Sequence, residues 1–207
     1  MKIYLVRHGL SIGNKNHIHQ FPDSSLSEEG QAQARAIAER VKNLPINFIY
    51  SSNIARAQET AKLIAEKSKH KIETWEELRE IKRPSQILGK RGDSAEAKKF
   101  EEAMKDNYKN PYFKYSDEDS FSELKERAEK VLNHLVEKHT GENVLLVSHG
   151  TFIKMLVSFV VFGKNLTPEI FWDLREHTYA ENTGISIVEH TPERGWRLLT
   201  FNDISHL

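Results

Sequence analysis

Two rhythms of apolar residues alternate along this chain. Short runs such as Ile3–Val6, Phe48–Tyr50 and Val144–Val147 are apolar at every position, as strands buried on both faces require. Lys71–Trp75 reads as a further strand, and Thr183–Glu189 and Trp196–Phe201 as two last ones. Between them, apolar residues recur at helical spacing. Ser27 offers an N-cap, with Glu28 and Glu29 in the first turn of a helix running to Val41. Ser51 or Ser52 starts a helix to about Ser68, with Ala57, Ala61 and Ile64 on one face. Ser120 and Glu123 form a capping box for a helix ending near His139, with Gly141 as its terminator. Thr151–Phe162 is an apolar helix, and Thr167-Pro168-Glu169 opens another.

Strands alternating with helices predict an α/β fold: three layers, α/β/α, around a mostly parallel central sheet. Residues 83–119 break the rhythm. Pro84, Gly89, Gly92 and Pro111 punctuate a charged stretch with one helix around Ala95–Lys105. The chain is expected to form one domain, residues 1–207, with 83–119 as an excursion that caps its site.

Composition narrows the chemistry. Lys plus Arg and Asp plus Glu both count 30, a balance that argues against a general nucleic-acid binder. Cysteine is absent, which removes disulfides, thiolate metal sites and every cysteine nucleophile. The longest apolar stretch, Phe152–Phe162, falls short of the roughly 20 residues that span a bilayer. No leader segment is visible before Ile3, so a cytoplasmic protein without membrane partners is expected.

Two copies of one pattern stand out. Val6-Arg7-His8-Gly9 and Val147-Ser148-His149-Gly150 each deliver a histidine to the end of an apolar strand and then turn at glycine. In a parallel sheet, ligands bind beyond the carboxyl ends of the strands. His8 and His149 are therefore expected on one sheet edge despite their distance in sequence. A neutral imidazole is a competent nucleophile, and the Arg7 guanidinium favours the neutral form while offering two donors to a phosphate. Arg56 falls in the first turn of a helix that follows a strand, itself an anion site. His17-Ile18-His19 would present two imidazoles on one face of a strand, yet no acidic or histidine partner stands at ligand spacing, so no metal is expected. His134 and His139 read as surface residues of their helix. Trp75 and Trp196 read as packing residues, and Trp172 as a packing, pocket or interface residue.

Taken in order, Arg7-His8-Gly9, Asn14, Leu26-Ser27-Glu28-Glu29-Gly30, Arg56-Ala57-Gln58-Glu59-Thr60-Ala61, Ser120-Phe121-Ser122-Glu123, Ser148-His149-Gly150 and the tail with Gly195-Trp196 resemble the histidine phosphatase superfamily, the phosphoglycerate mutase-like proteins. The resemblance spans nearly the whole chain. It implies that His8 attacks phosphorus and becomes phosphohistidine. It places Arg7, Arg56 and His149 around the non-bridging oxygens, with Asn14 adding a neutral hydrogen bond. A glutamate after the third strand supplies the acid, and the Leu78-Arg79-Glu80 spacing favours Glu80 over Glu76 and Glu77. Because this cradle is made of protein groups, the resemblance implies no metal and no cofactor. The implied activity is a phosphatase acting on a small-molecule phosphomonoester; the alternatives are a phosphoglycerate mutase-type transferase and a non-catalytic phospho-ligand binder. Where the family often continues with a Trp-Glu-Gly-like segment, this chain has Lys82-Arg83-Pro84. Those two cations are either loop charges or contacts for a second anionic group. Ser24 or Ser25 is a further pocket candidate.

Overall fold

The computed structural model describes residues 1–207. Six strands form one sheet: β1 (Lys2–Arg7), β2 (Phe48–Ser51), β3 (Ile72–Thr74), β4 (Val144–Ser148), β5 (Ile185–Thr191) and β6 (Gly195–Asp203). Their spatial order is β3-β2-β4-β1-β5-β6. The first four run parallel, and β5 and β6 add an antiparallel hairpin beside β1. β4 sits inside the sheet and is buried at every position, which is why its sequence is apolar throughout.

Alternation along β1 divides the core. Tyr4 and Val6 face α2 (Glu28–Val41) and α3 (Ala55–Ser68), packing with Ile37, Val41, Ala57 and Ile64. Ile3 and Leu5 face α5 (Phe121–Lys138) and α6 (Gly150–Phe162), packing in a larger core with Leu132, Phe152 and Leu156. The layers are thus helix, sheet and helix. The capping box at Ser120 and Glu123 is present, as is the Ser27 cap of α2. No helix is long and apolar enough to cross a membrane.

Three local expectations need correction. The helix after β2 starts at Ala55, not at Ser51 or Ser52, and its N-cap Ile54 makes no side-chain bond. His139 is buried rather than superficial: Tyr50 Oη and Glu142 Oε2 each lie 3.0 Å from its ring nitrogens. His17 is not in a strand. Its φ of 54° places it in a turn after the short helix α1 (Ile12–Lys15), so His17 and His19 share no strand face.

The charged stretch carries α4 (Ala95–Asn107), which buries only Ala97 and Phe100. Its two ends meet. The Asp119 amide donates to the Lys82 carbonyl at 3.2 Å, and the Lys82 amide donates to Asp119 Oδ2 at 2.9 Å. The Ser85 amide donates to Asp117 Oδ1 at 2.8 Å, closing the same neck. The last helix, α7 (Pro168–His177), packs beside α6.

Candidate active site

Parallel pairing of β1 with β4 sets Arg7 opposite Ser148, so the next residue of each strand is a histidine. The His8 amide donates to the Ser148 carbonyl at 3.0 Å, and the two imidazole centroids lie 5.1 Å apart. The loop that leaves His8 packs closely on α2. A side chain at Gly9 would put Cβ 2.4 Å from the Gly30 oxygen, and one at Gly30 would put it 1.9 Å from the Leu10 oxygen, so only glycine fits at either place.

Hydrogen bonds fix the state of His8. Its Nδ1 lies 2.7 Å from the Gly9 carbonyl, an acceptor, so Nδ1 carries the proton. Nε2 accepts from Arg56 Nε at 3.1 Å. The ring is therefore neutral, with its basic nitrogen turned toward a guanidinium. Burial pushes the His8 pKa well below its ordinary value, and the charges of Arg56 and Arg7 push it the same way. His149 is fully buried and is lowered by burial, by His8 and by the same two arginines. Its Nε2 lies 2.9 Å from Ser52 Oγ.

Arg7 Nη1 donates to the Ala180 carbonyl. Burial lowers the pKa of Arg56 to about 10, so it remains a cation at neutral pH. Arg7 Nε, Arg56 Nη1 and His149 Nδ1 are buried and have no protein partner. Buried polar atoms are almost always satisfied, and here three stand unsatisfied on the residues gathered at one sheet edge. Cationic donors around a neutral imidazole make a receptor for a tetrahedral oxyanion.

Glu80 closes the group from another direction. Its carboxylate accepts from the amides of Thr151 at 3.1 Å and Phe152 at 3.0 Å, in the first turn of α6, and from the Ile81 amide. The helix after His149 has no side-chain cap of its own, so a residue remote in sequence fills that place. The Glu80 charge acts on both Arg7 and Arg56 against the larger effect of burial. A clamp holds the Glu80 segment. Arg127, stacked over Phe152 at 4.2 Å, donates to the carbonyls of Glu77 and Arg79 and to Asp119, which also binds Arg79. Glu77 lies outside this group, bonded to Lys130.

Asn14 stands one step away, on α1. Its Oδ1 lies 2.8 Å from Ser11 Oγ, and its Nδ2 has no protein partner. Ser24 and Ser25 make no side-chain bond to any of these groups; the Ser25 carbonyl holds the Ile12 amide. No group of three or more His, Asp or Glu side chains is arranged to hold a metal ion.

Several contributors carry no signature in the sequence. Ser52 anchors His149, and Thr60 Oγ1 accepts from the Gly9 amide at 3.1 Å. Asn182 donates to the His8 carbonyl at 2.8 Å, and the Thr183 amide donates to the Arg7 carbonyl at 3.0 Å. Thr183 does so at φ 61°, a strained conformation for a β-branched residue, held by its bonds to the strand end. An Asn-Thr pair before a strand reads as an ordinary turn.

The fold and this edge define an α/β protein that gathers a neutral histidine and cationic donors around an oxyanion site. The chain belongs to the histidine phosphatase superfamily (branch 1), whose pattern residues 3–204 match. Among curated proteins it is similar to a probable phosphoglycerate mutase GpmB of Photorhabdus laumondii, 33% identical over 215 residues, covering 100% of this chain and 95% of that one. Among solved structures it is similar to Bacillus stearothermophilus YhfR, with TM-score 0.84, 27% identity, and 99% and 98% of the two chains covered. A mycobacterial glucosyl-3-phosphoglycerate phosphatase shares the fold, with TM-score 0.82 at 22% identity over 97% and 98% of the chains.

Proposed function

We propose that this chain is a metal-independent phosphomonoesterase acting through a phosphohistidine on His8. The observation that carries this reading is a neutral His8 whose Nε2 faces Arg56 and whose ring lies 5.1 Å from that of His149, at a sheet edge where buried polar atoms of Arg7, Arg56 and His149 have no protein partner. In the first step Nε2 attacks phosphorus in line, the P–O ester bond breaks, and Glu80, which takes up a proton from solvent as the dianionic substrate binds, gives that proton to the departing alkoxide. In the second step Glu80 takes a proton from water, the oxygen of that water attacks phosphorus, and the P–N bond breaks. Inorganic phosphate leaves and neutral His8 returns. Arg7, Arg56 and His149 hold the three non-bridging oxygens, where transition-state charge spreads. Asn14 adds a neutral donor through Nδ2.

A mutase would use the same first step and return the phosphoryl group to a second hydroxyl. The names of the curated relatives favour that second reading. The test is p-nitrophenyl phosphate hydrolysis in EDTA from about pH 4 to 8, comparing wild type with His8→Ala. We expect turnover that survives the chelator and falls by about 10³-fold or more in the variant. Equal turnover by both proteins would place the activity elsewhere. Isomerisation of 3-phosphoglycerate outpacing release of inorganic phosphate would favour the mutase.

A further inference from the structure

Three residues beyond Glu80, Arg83 reaches the wall of a cavity of about 630 Å³ between α4 and α7. Phe100 and Tyr108 line it from the excursion, and Trp172 and Arg175 from α7. Neither histidine of the cradle lines it, yet its walls are rooted in the cradle on three sides. Arg83 is joined to Glu80 through Ile81 and Lys82. His19, another wall residue, precedes Gln20, whose Oε1 lies 2.6 Å from Ser11 Oγ beside Asn14. Lys154 of α6 donates to the carbonyls of Arg175 at 2.9 Å and Thr178 at 2.6 Å, tying the end of α7 to the helix that holds Glu80. The charge of Glu80 acts on Arg83, and those of Arg7 and Glu80 act on Lys154, so cradle and cavity wall lie within electrostatic range of each other.

The charges of the wall are not equally matched. Within it Arg175 has Glu176, while outside it Lys82 pairs with Asp117 at 3.0 Å and Arg79 and Arg127 share Asp119. Glu101 and Lys105 lie one turn apart on α4, at the exposed rim. Arg83 is half-buried and makes no hydrogen bond or ion pair with any side chain; its neighbour is the Phe100 ring, 5.9 Å from the guanidinium carbon. Burial, with Arg175 adding to it, lowers its pKa to about 10 against the opposing charges of Glu80, Glu101 and Glu118, which still leaves it a cation. A partly desolvated cation with carboxylates only at a distance is costly, and an anion that a ligand brings into contact offsets that cost. The rest of the wall is Phe100, Tyr108, Trp172, Met104 and His19, with one further carboxylate, Asp173; the volume lies within the usual 300–1,000 Å³ of a ligand pocket, larger than a three-carbon acid needs.

We propose that Arg83 receives a second anionic group of the substrate, a phosphomonoester whose alcohol part carries a ring or chain and an acidic group. The proposal rests on the phosphomonoesterase reading above. The experiment compares kcat/KM for phenyl phosphate, 4-carboxyphenyl phosphate and 1,4-phenylene bisphosphate in wild type, Arg83→Met, Arg83→Lys and Lys82→Met. The quantity read is the ratio of each acidic ester to the neutral one, which cancels leaving-group differences between proteins. That ratio is expected to fall about tenfold or more in Arg83→Met, to fall less in Arg83→Lys, and to stay unchanged in Lys82→Met. The acidic ester whose ratio falls more identifies the natural anion as carboxylate or phosphate. If Arg83→Met does not fold, Arg83→Lys carries the same comparison. Unchanged ratios in both Arg83 variants overturn the proposal and leave the phosphatase reading intact. A wild type that hydrolyses none of the three esters overturns the phosphatase reading instead.

Discussion

Arg7, His8 and His149 stand on or directly after strands paired inside the sheet, whereas the cavity beside them is walled by helices that the sheet does not hold. On the cradle side, each histidine is fixed by ring bonds to Gly9, Arg56 or Ser52 and by a backbone anchored at Ser148, Asn182 or Thr183. On the cavity side, α4 buries two residues, and its aromatic faces meet those of α7 across open space. The difference teaches that the reaction and the choice of substrate have separate supports. Substitutions in the first region should change how fast phosphorus is attacked, and substitutions in the second should change which ester is attacked.

The largest effect expected after loss of the nucleophile comes from Arg56→Ala. It removes donors aimed at the transferring group and should lower kcat by about 10²–10³-fold for every ester, acidic or neutral. A loss confined to acidic esters would merge the two regions and break the comparison. Next comes Glu80→Gln, which keeps a side chain of the same shape beside α6. Alkyl phosphates, whose leaving groups need a proton, should lose about 10²-fold, and p-nitrophenyl phosphate much less. Equal losses for both would leave Glu80 as the cap of α6 only. The smallest catalytic effect belongs to Asp119→Asn, which loosens the clamp on Glu80 and should be read first in stability. Burial would raise the Asp119 pKa, but the bonds from Arg79, the Lys82 amide and Arg127 outweigh it and leave the pKa lowered. A carboxyl lowered on folding stabilises above its unfolded value of about 3.9 and loses that contribution as pH falls below it. Urea unfolding should therefore show a deficit of about 3 kcal/mol for the variant at pH 7 that shrinks below about pH 4. A deficit that does not vary with pH would remove the carboxylate's charge from the clamp.

Much of the cradle could be read from sequence because its logic is local. An apolar run that ends in His-Gly encodes both the strand and the side chain it delivers, and two such runs in a parallel sheet must end on one edge. The capping box at Ser120 is local in the same way. The sequence misleads where one residue serves two demands. Ser52 has the chemistry of a helix cap, but its hydroxyl lies against His149, so α3 starts later and without a side-chain cap. Glu80 as the cap of a helix seventy residues on, and Asn182 and Thr183 as supports of His8, depend on contacts between distant segments that no periodicity records. His139 reads as superficial for the same reason: it ends α5, and its partner Tyr50 comes from β2, far away in sequence. The cavity was visible only as Trp172, Lys82 and Arg83 with open roles, because a charged helix gives no sign of which surface it will face.

The neck at Lys82 and Asp119 has a consequence for descent. The intervening chain leaves and re-enters the body at one point, so its length is nearly free: each doubling of such a loop costs only about 0.6 kcal/mol in closure entropy. Insertions, deletions or wholesale exchange between Lys82 and Asp119 leave the neck bonds, and through them Glu80, where they are. A lineage can thus acquire new substrates by rewriting one loop while the reaction passes unchanged from parent to descendant.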